Sequence, residues 1–151
     1  MSSTRSALWV VDASVIFGWF ATCRHGDQAV SLLEQTETVQ RIAPDLALIE
    51  LLNAGWKTLR AGAITIDQMQ AMATLTPQLL GQVVPTDRHL LQGALAWCTR
   101  LDHPAYNCLY LALAQQRNAT LITADQRLLN ALSQRHPGTT IAMNLADWPG
   151  A

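Results

Sequence analysis

The chain has few charged side chains for its size. Asp, Glu, Lys and Arg together make up 14% of its 151 residues, whereas soluble domains contain about 25%. Lys57 is the only lysine, and the net charge is −1, so the charge balance indicates no broad basic surface for nucleic acid. Because half of the residues are apolar, we expect other protein to cover part of the surface, either a second copy of the chain or a different partner.

Cysteines and long apolar runs are also scarce. Cys23, Cys98 and Cys108 are odd in number and widely spaced, which matches neither a disulfide framework nor a zinc site. No segment reaches the roughly 18 apolar residues that a membrane helix needs, and residues 1–7 lack the apolar core of a secretory signal. We therefore expect a reduced, cytoplasmic protein without a membrane segment.

The length of the chain favours a single domain over residues 1–151, with residues 1–7 as a short N-terminal tail. Short apolar runs alternate with helical patterns along the whole sequence. This alternation predicts an α/β fold, with a parallel central sheet of four to five strands covered by helices on both sides. The strands are expected at residues 8–11, 39–42, 83–85, 121–122 and 139–143.

Two acidic residues lie where predicted strands end. Asp12 follows the first apolar run directly, and Asp125 closes the segment that contains the fourth. Because parallel strands place their carboxyl ends on one edge of a sheet, we expect these two side chains to meet. Helix capping is the alternative for both regions, since Asp12 or Ser14 suits an N-cap and Thr123 begins a capping-box pattern.

Two further polar side chains lie on apolar helices. Glu50 is in a helix that Pro44 is expected to open in its first turn, and a carboxylate buried there needs partners. Glu50, Asn53 and Lys57 share one helix face, which is either functional or an ordinary solvated face. Asn107 is the one polar side chain near the start of a second apolar helix.

Acidic side chains gathered at one edge repel each other, so a cation is expected to join them. Clusters of hard oxygen donors suit Mg²⁺ or Mn²⁺, which also keep water and bind substrate phosphate. Two such ions about 4 Å apart can activate water and stabilise the leaving oxygen in phosphodiester cleavage. The sequence therefore predicts a divalent-metal site made of Asp12, Glu50, Asn107 and Asp125.

Four segments of the chain carry a family resemblance. They are Val-Val-Asp12-Ala-Ser14, Ala-Pro-Asp-Leu-Ala-Leu-Ile-Glu50-Leu-Leu-Asn53, His-Pro-Ala-Tyr-Asn107-Cys-Leu-Tyr-Leu-Ala-Leu-Ala and Leu-Ile-Thr123-Ala-Asp125-Gln-Arg-Leu-Leu. In this order and spacing they resemble the four motifs of PIN domains, in particular those of VapC-type toxins from bacterial toxin–antitoxin pairs. Each motif alone is weak, but the ordered set covers nearly the whole chain.

The resemblance implies a PIN-like three-layer fold and an activity. The activity is that of an endoribonuclease toxin that depends on Mg²⁺ or Mn²⁺ and hydrolyses RNA with metal-activated water. Asp12, Glu50 and Asp125 match the catalytic acids, and with Asn107 they match the metal ligands. The resemblance also implies a homodimer and a VapB-like antitoxin whose tail covers the acidic pocket.

Four more residues are candidates around these ligands. Ser14 and Thr123 match the hydroxyls that hydrogen-bond a carboxylate or a coordinated water, and Asn53 is a further supporting side chain in the second motif. Arg127, just after Asp125, is a candidate for holding RNA phosphate, although a surface position on a helix is an equal alternative.

Asn107 departs from the family pattern, which has aspartate at this position. An amide oxygen can contact a metal ion but carries no charge, so we expect weaker binding of divalent ions. Three explanations stay open: an enzyme with a weaker site, a catalytically inactive PIN-like module that binds antitoxin or RNA, and a substitution introduced to silence a toxic nuclease.

Two other α/β families also begin with a strand followed by Asp, and both are disfavoured. A haloacid-dehalogenase-like phosphatase needs a second acid two residues later, where this chain has Ser14. A receiver domain needs a lysine after a later strand, whereas Lys57 lies in a predicted helix. The inactive PIN-like module is therefore the main alternative to the nuclease.

Overall fold

The protein is built on one parallel five-stranded sheet. The computed structural model describes residues 7–35 and 37–149, so most of the predicted N-terminal tail lies outside the described residues, and its last residue, Ala7, already belongs to the first strand. The strands are β1 (Ala7–Val11), β2 (Val39–Pro44), β3 (Gln82–Val84), β4 (Thr120–Thr123) and β5 (Ala142–Asn144). Their order is β3-β2-β1-β4-β5, with all neighbours parallel. The predicted α/β fold is confirmed.

Helices flank this sheet. They are α1 (Ala13–Phe17), α2 (Gly26–Glu34), α3 (Leu46–Arg60), α4 (Ile66–Leu79), α5 (Arg88–Leu101), α6 (Ala105–Gln116), α7 (Gln126–Arg135) and a 3-10 turn at Leu145–Asp147. Helix α6 packs against β1, β2 and β4, and its residues 108–114 are all buried, as their apolar composition predicts. In the described ranges, no helix has the length and apolar character of a membrane span. The three cysteines are unpaired.

The strand order creates a crevice next to the carboxyl end of β1. From β1 the chain continues to β2 on one side, whereas from β4 it continues to β5 on the other side. The two connections therefore diverge between β1 and β4, and the space between them is the usual ligand position in open α/β sheets. The Asp12 N–H donates to the Ile122 carbonyl at 3.1 Å, which brings the residues after both strands together.

The start of α3 differs from the expectation. Pro44 is the last residue of β2, paired with Val84, and does not form the first turn of α3. The Asp45 N–H donates to the Val84 carbonyl at 2.9 Å, which continues the pairing one residue beyond the proline. The Asp45 carboxylate accepts hydrogen bonds from the Thr86 hydroxyl and N–H, so cross-strand contacts override the local proline signal.

The last strand is also displaced from its expected position. It covers Ala142–Asn144, not residues 139–143. β5 pairs only with the four-residue strand β4, in a register that matches Leu121 with Ala142 and Thr123 with Asn144. The length of the partner strand, which the local sequence does not reveal, thus sets the limits of β5.

Candidate active site

One pocket at the carboxyl edge of the sheet collects the four predicted metal ligands. Asp12, Glu50, Asn107 and Asp125 all line a cavity of about 560 Å³. They come from the end of β1, the second turn of α3, the first turn of α6 and the turn after β4. The fold therefore brings together four side chains that are distant in sequence.

Asp12 is buried and held in a fixed orientation. Its side chain is 7% exposed, and Oδ2 accepts hydrogen bonds from the Ser14 hydroxyl at 3.0 Å and the Thr123 hydroxyl at 2.5 Å. Burial raises the pKa of Asp12, the two hydroxyl donors oppose that rise, and the nearby charge of Asp125 adds to it. The ionised carboxylate is thus costly in this position unless a positive charge joins it.

The two hydroxyls also tie the ends of β1 and β4 together. Ser14 Oγ accepts the Ala124 N–H at 3.1 Å, and Thr123 Oγ1 accepts the Asp125 N–H at 3.0 Å. Since each hydroxyl accepts from the backbone, its single proton is directed at Asp12. The structure therefore places both candidate hydroxyls beside a carboxylate.

Asp125 has a structural and a pocket-facing oxygen. Its Oδ1 accepts the N–H groups of Arg127 and Leu128, which caps α7, and its Oδ2 accepts from Asn107 Nδ2 at 3.1 Å. Capping was the alternative explanation for Thr123 and Asp125. It applies to Asp125 but not to Thr123, whose hydroxyl is engaged with Asp12. Asp125 can cap α7 and face the pocket at the same time, because Oδ1 makes the capping contacts and Oδ2 makes the contact with Asn107.

Glu50 is anchored by a tyrosine that the sequence analysis did not identify. Tyr110 is 1% exposed; its hydroxyl donates to Glu50 Oε1 at 2.7 Å and accepts the Ala13 N–H at 3.4 Å. Burial raises the pKa of Glu50, the Tyr110 bond lowers it, and the charges of Asp12 and Asp125 raise it further. The sequence signal that could have identified Tyr110 is a tyrosine in an apolar helix, one turn after Asn107, because a buried hydroxyl requires a hydrogen-bond partner.

The other two members of the predicted polar face of α3 point elsewhere. Asn53 and Lys57 are exposed and are not among the residues that line the pocket, whereas Ala54 and Thr58 are. The helix face is therefore divided: Glu50 turns into the pocket, and Asn53 and Lys57 lie on the solvated side.

Asn107 presents its amide nitrogen to the neighbouring acid. Nδ2 lies 3.1 Å from Asp125 Oδ2 and 2.9 Å from Nε2 of His103. The amide has two N–H hydrogens. They match these two acceptors in the tautomer of His103 whose Nε2 carries no proton. In this arrangement Asn107 partly compensates the charge of Asp125, whereas an aspartate would repel it.

Two arginines lie differently with respect to the pocket. Arg127 is exposed in the first turn of α7 and is not among the pocket-lining residues. Arg24, in the loop between α1 and α2, does line the pocket, together with Phe17 and Tyr106. No spacing pattern marks Arg24 in the sequence, since only the path of the loop brings it to the acids.

The donor chemistry of the pocket fits a hydrated divalent cation. The charge of Asp125 raises the pKa values of both Asp12 and Glu50, in addition to burial. Within residues 7–35 and 37–149, no three His, Cys, Asp or Glu side chains form a group that could hold a metal ion by themselves. Mg²⁺ commonly binds through one or two carboxylates and keeps several waters, so this oxygen-lined pocket suits such an ion better than a fully dehydrated one.

Tyr110→Phe is expected to destabilise the protein by about 1–2 kcal/mol, because a charged acceptor loses its donor. It should also raise the pKa of Glu50, since the hydroxyl bond lowers that pKa in the wild type. Chemical unfolding and NMR titration of the glutamate carboxyl carbon measure the two effects. Tyr106→Phe removes a hydroxyl from an exposed ring on the same helix and should leave both unchanged. An unchanged pKa of Glu50 in Tyr110→Phe would contradict the hydrogen bond between Tyr110 and Glu50.

Comparison with known proteins agrees with this architecture. Residues 9–132 match the PIN domain family model. The chain is 31% identical over 129 residues to Ribonuclease VapC3 of Mycobacterium tuberculosis, covering 84% of this chain and 89% of that protein. It is 28% identical over 120 residues to Ribonuclease VapC3 of Pyrobaculum aerophilum, covering 79% and 90%.

A solved structure supports the same fold. A chain in a toxin–antitoxin complex from Klebsiella pneumoniae superposes with a TM-score of 0.64 at 16% identity, covering 93% of this chain and 98% of that chain. The family-model match extends over most of the sequence, and the Mycobacterium relative is matched over most of its own length. The chain therefore belongs to the PIN domain family, as a VapC-type member.

Proposed function

We propose that this protein is an endoribonuclease toxin of a VapBC-like pair that hydrolyses RNA phosphodiester bonds with the help of Mg²⁺ or Mn²⁺. The observation that carries the proposal is the convergence of three carboxylates and an amide in one pocket, where burial and neighbouring carboxylates raise the pKa values of Asp12 and Glu50. The VapC3 relatives, which carry the name ribonuclease, support the choice of RNA as the substrate.

The proposed roles follow from the contacts of each side chain. Asp12, Glu50 and Asp125 would share the ion, with one or two of these carboxylates contacting it directly and the rest reaching it through its bound waters. The amide oxygen of Asn107 could join them after rotation of its side chain. A bound divalent ion supplies a Lewis acid that activates water and stabilises phosphate charge. Ser14 holds Asp12 in position through its hydroxyl.

Thr123, Asn53 and Arg127 are proposed to support the metal ligands or the bound RNA. The Thr123 hydroxyl directs a second proton at Asp12. Asn53 lies one turn from Glu50 on the solvated side of α3, and Arg127 lies in the first turn of α7, just after Asp125. Neither lines the pocket, and both are proposed to act on RNA or water that extends beyond it.

We propose two protein partners, a VapB-like antitoxin and a second copy of the chain. A complex in which a similar fold pairs with an antitoxin supports the first. Support for the second is an apolar groove of about 710 Å³ between α3, α5 and α6. Ile49, Leu91 and Leu95 line it and are 66%, 57% and 63% exposed, which is unusual for large apolar side chains that face water.

Metal removal tests the proposed activity. Incubated with an end-labelled RNA hairpin in Mg²⁺ or Mn²⁺, the purified chain is expected to produce internal cuts on a denaturing gel. Excess EDTA should stop the reaction and added Mn²⁺ should restore it, because the activated water depends on the ion. Cleavage that continues in EDTA would refute metal dependence. RNA that binds but stays intact with every ion would favour the inactive PIN-like module.

A further inference from the structure

The acidic pocket presents a problem for an RNA substrate. Three carboxylates line it, those of Asp12, Glu50 and Asp125. A phosphodiester brings another negative charge to the same place. Part of the binding energy must therefore come from groups at the edge of the pocket that attract RNA without neutralising the carboxylates.

Arg24 is placed to supply such attraction. Among the described residues that line the pocket, it is the one that carries a positive charge. The side chain is exposed, and the described hydrogen bonds of the three pocket carboxylates come from other side chains and from the N–H groups that cap α7. Its guanidinium is therefore available to bind a ligand. A guanidinium forms two parallel hydrogen bonds to phosphate oxygens, which fixes the orientation of the phosphate.

Tyr106 adds an aromatic surface to the same pocket. It is 53% exposed at the start of α6, before the buried residues 108–114. It lines the acidic pocket beside Asn107 and also the end of the apolar groove, so its ring lies between the two. Nucleobases of unpaired RNA stack on exposed aromatic side chains. A cation and an open aromatic ring at one site match a nucleotide better than a free phosphate or an acidic peptide, neither of which has a base.

We infer that Arg24 holds a backbone phosphate of single-stranded RNA at the mouth of the acidic pocket, with a neighbouring base stacked on Tyr106. The inference rests on the proposed function for the identity of the ligand as RNA. It assigns the positioning of RNA to the loop between α1 and α2, in preference to Arg127 at the start of α7. Arg24 is a positioning residue in this proposal, because its contact is with the substrate backbone and not with the reacting atoms.

RNA binding without metal tests the inference separately from cleavage. In EDTA, fluorescence anisotropy of a labelled single-stranded RNA is expected to show at least roughly tenfold weaker binding for Arg24→Ala, the size expected when charged hydrogen bonds to a phosphate are lost. The slope of log affinity against log salt should become shallower by about 0.7, the value for one released phosphate contact on a single strand. Arg24→Lys should recover part of the affinity.

Matched variants identify the source of each effect. Arg88→Ala removes the same charge from an exposed position at the start of α5 and should leave RNA affinity and salt slope unchanged. Tyr106→Ala should weaken binding by at least about fivefold through the lost stack, whereas Tyr106→Phe should bind like the wild type. A larger effect from Arg127→Ala than from Arg24→Ala would overturn the assignment.

Cleavage kinetics provide the second reading. With Mn²⁺ present, Arg24→Ala should raise KM by a similar factor and leave kcat nearly unchanged, because the contact is made equally in the ground state and the transition state. Unchanged KM in a cleaving enzyme would overturn the inference while the proposed nuclease stands. If the wild type binds RNA but never cleaves it, the proposed activity fails, and the anisotropy series alone still decides the role of Arg24.

Discussion

Asp12→Asn is expected to lower RNA cleavage by at least about a hundredfold, a size typical for loss of a group that assists proton transfer or activates water. Asparagine retains a carbonyl oxygen that can accept from Ser14 and Thr123, so the ends of β1 and β4 should stay joined. What disappears is the negative charge that would hold the ion. Rates are measured with end-labelled RNA in Mn²⁺, and circular dichroism checks the fold.

The same variant has an expected effect on stability. Because burial raises the pKa of Asp12 in the folded protein, its ionised form destabilises the metal-free fold. That cost is absent below the ordinary pKa of 3.8 and appears as the pH rises through the higher folded-state pKa. Metal-free Asp12→Asn should therefore be at least as stable as the wild type at neutral pH. Thermal unfolding in EDTA across a pH series measures the difference.

Two comparisons control the Asp12 experiment. Asp67→Asn changes an exposed acid on α4 that is not among the pocket-lining residues, and should cleave RNA like the wild type. Asp12→Ala removes the acceptor for the buried Thr123 hydroxyl and should cost about 1–3 kcal/mol of stability. Undiminished cleavage by correctly folded Asp12→Asn would show that the activity belongs to another site or to a contaminating nuclease.

Asn107→Asp is expected to strengthen Mn²⁺ binding at least roughly tenfold, since metal affinity depends steeply on the number of charged ligands. RNA cleavage should increase as well. In the wild type the Asn107 amide donates to Asp125, whereas a carboxylate at this position removes that donor and leaves two acids that a cation can join. Calorimetric titration with Mn²⁺ and cleavage rates at fixed Mn²⁺ measure the two gains.

The gain in metal affinity should be accompanied by lower metal-free stability. Two adjacent carboxylates cannot both ionise easily, so at least one pKa is raised in the folded state. A raised folded-state pKa means that the loss is absent below the ordinary aspartate value of about 3.9 and grows as the pH rises above it. In EDTA, unfolding temperatures of the variant and the wild type should therefore converge in acid and separate toward neutral pH.

Asn130→Asp provides the matched control for this variant. It adds one negative charge at an exposed position of α7, away from the pocket-lining residues, and should change neither Mn²⁺ affinity nor cleavage. Equal Mn²⁺ affinities for the wild type and Asn107→Asp would end the hypothesis that the missing charge weakens the site. Stronger binding of the ion without faster cleavage would instead locate the defect in RNA positioning.

Parts of the site were predictable because they depend on local pattern and sheet geometry. Asp12 and Asp125 follow apolar strands, and parallel pairing requires such strands to end on one edge. The capping role of Asp125 was likewise visible from its place before α7. By contrast, the first turn of α3 was wrongly extended to Pro44, because its pairing with Val84 depends on a strand about forty residues away.

The contacts around the acids were not predictable in the same way. The bond from Tyr110 to Glu50 spans 60 residues, and nothing near either residue in the sequence indicates it. His103 is not among the residues that the sequence singles out, yet its Nε2 lies 2.9 Å from the Asn107 amide nitrogen. Arg24 has no pattern that distinguishes it from the other arginines. Each of these contacts follows from helix packing and loop paths over the sheet.

The sequence by itself determined the alternation of strands and helices, the polar residues at strand ends and the absence of an acid at position 107, because these depend on neighbouring residues. Only the tertiary structure decided that the Glu50 carboxylate is held by Tyr110 and that Asn107 faces Asp125 with its amide nitrogen. It also decided that Arg24 lines the pocket. The physical reason is that hydrogen bonds and charge interactions act over a few ångströms in space, and the distances between these groups are set by packing of the whole chain.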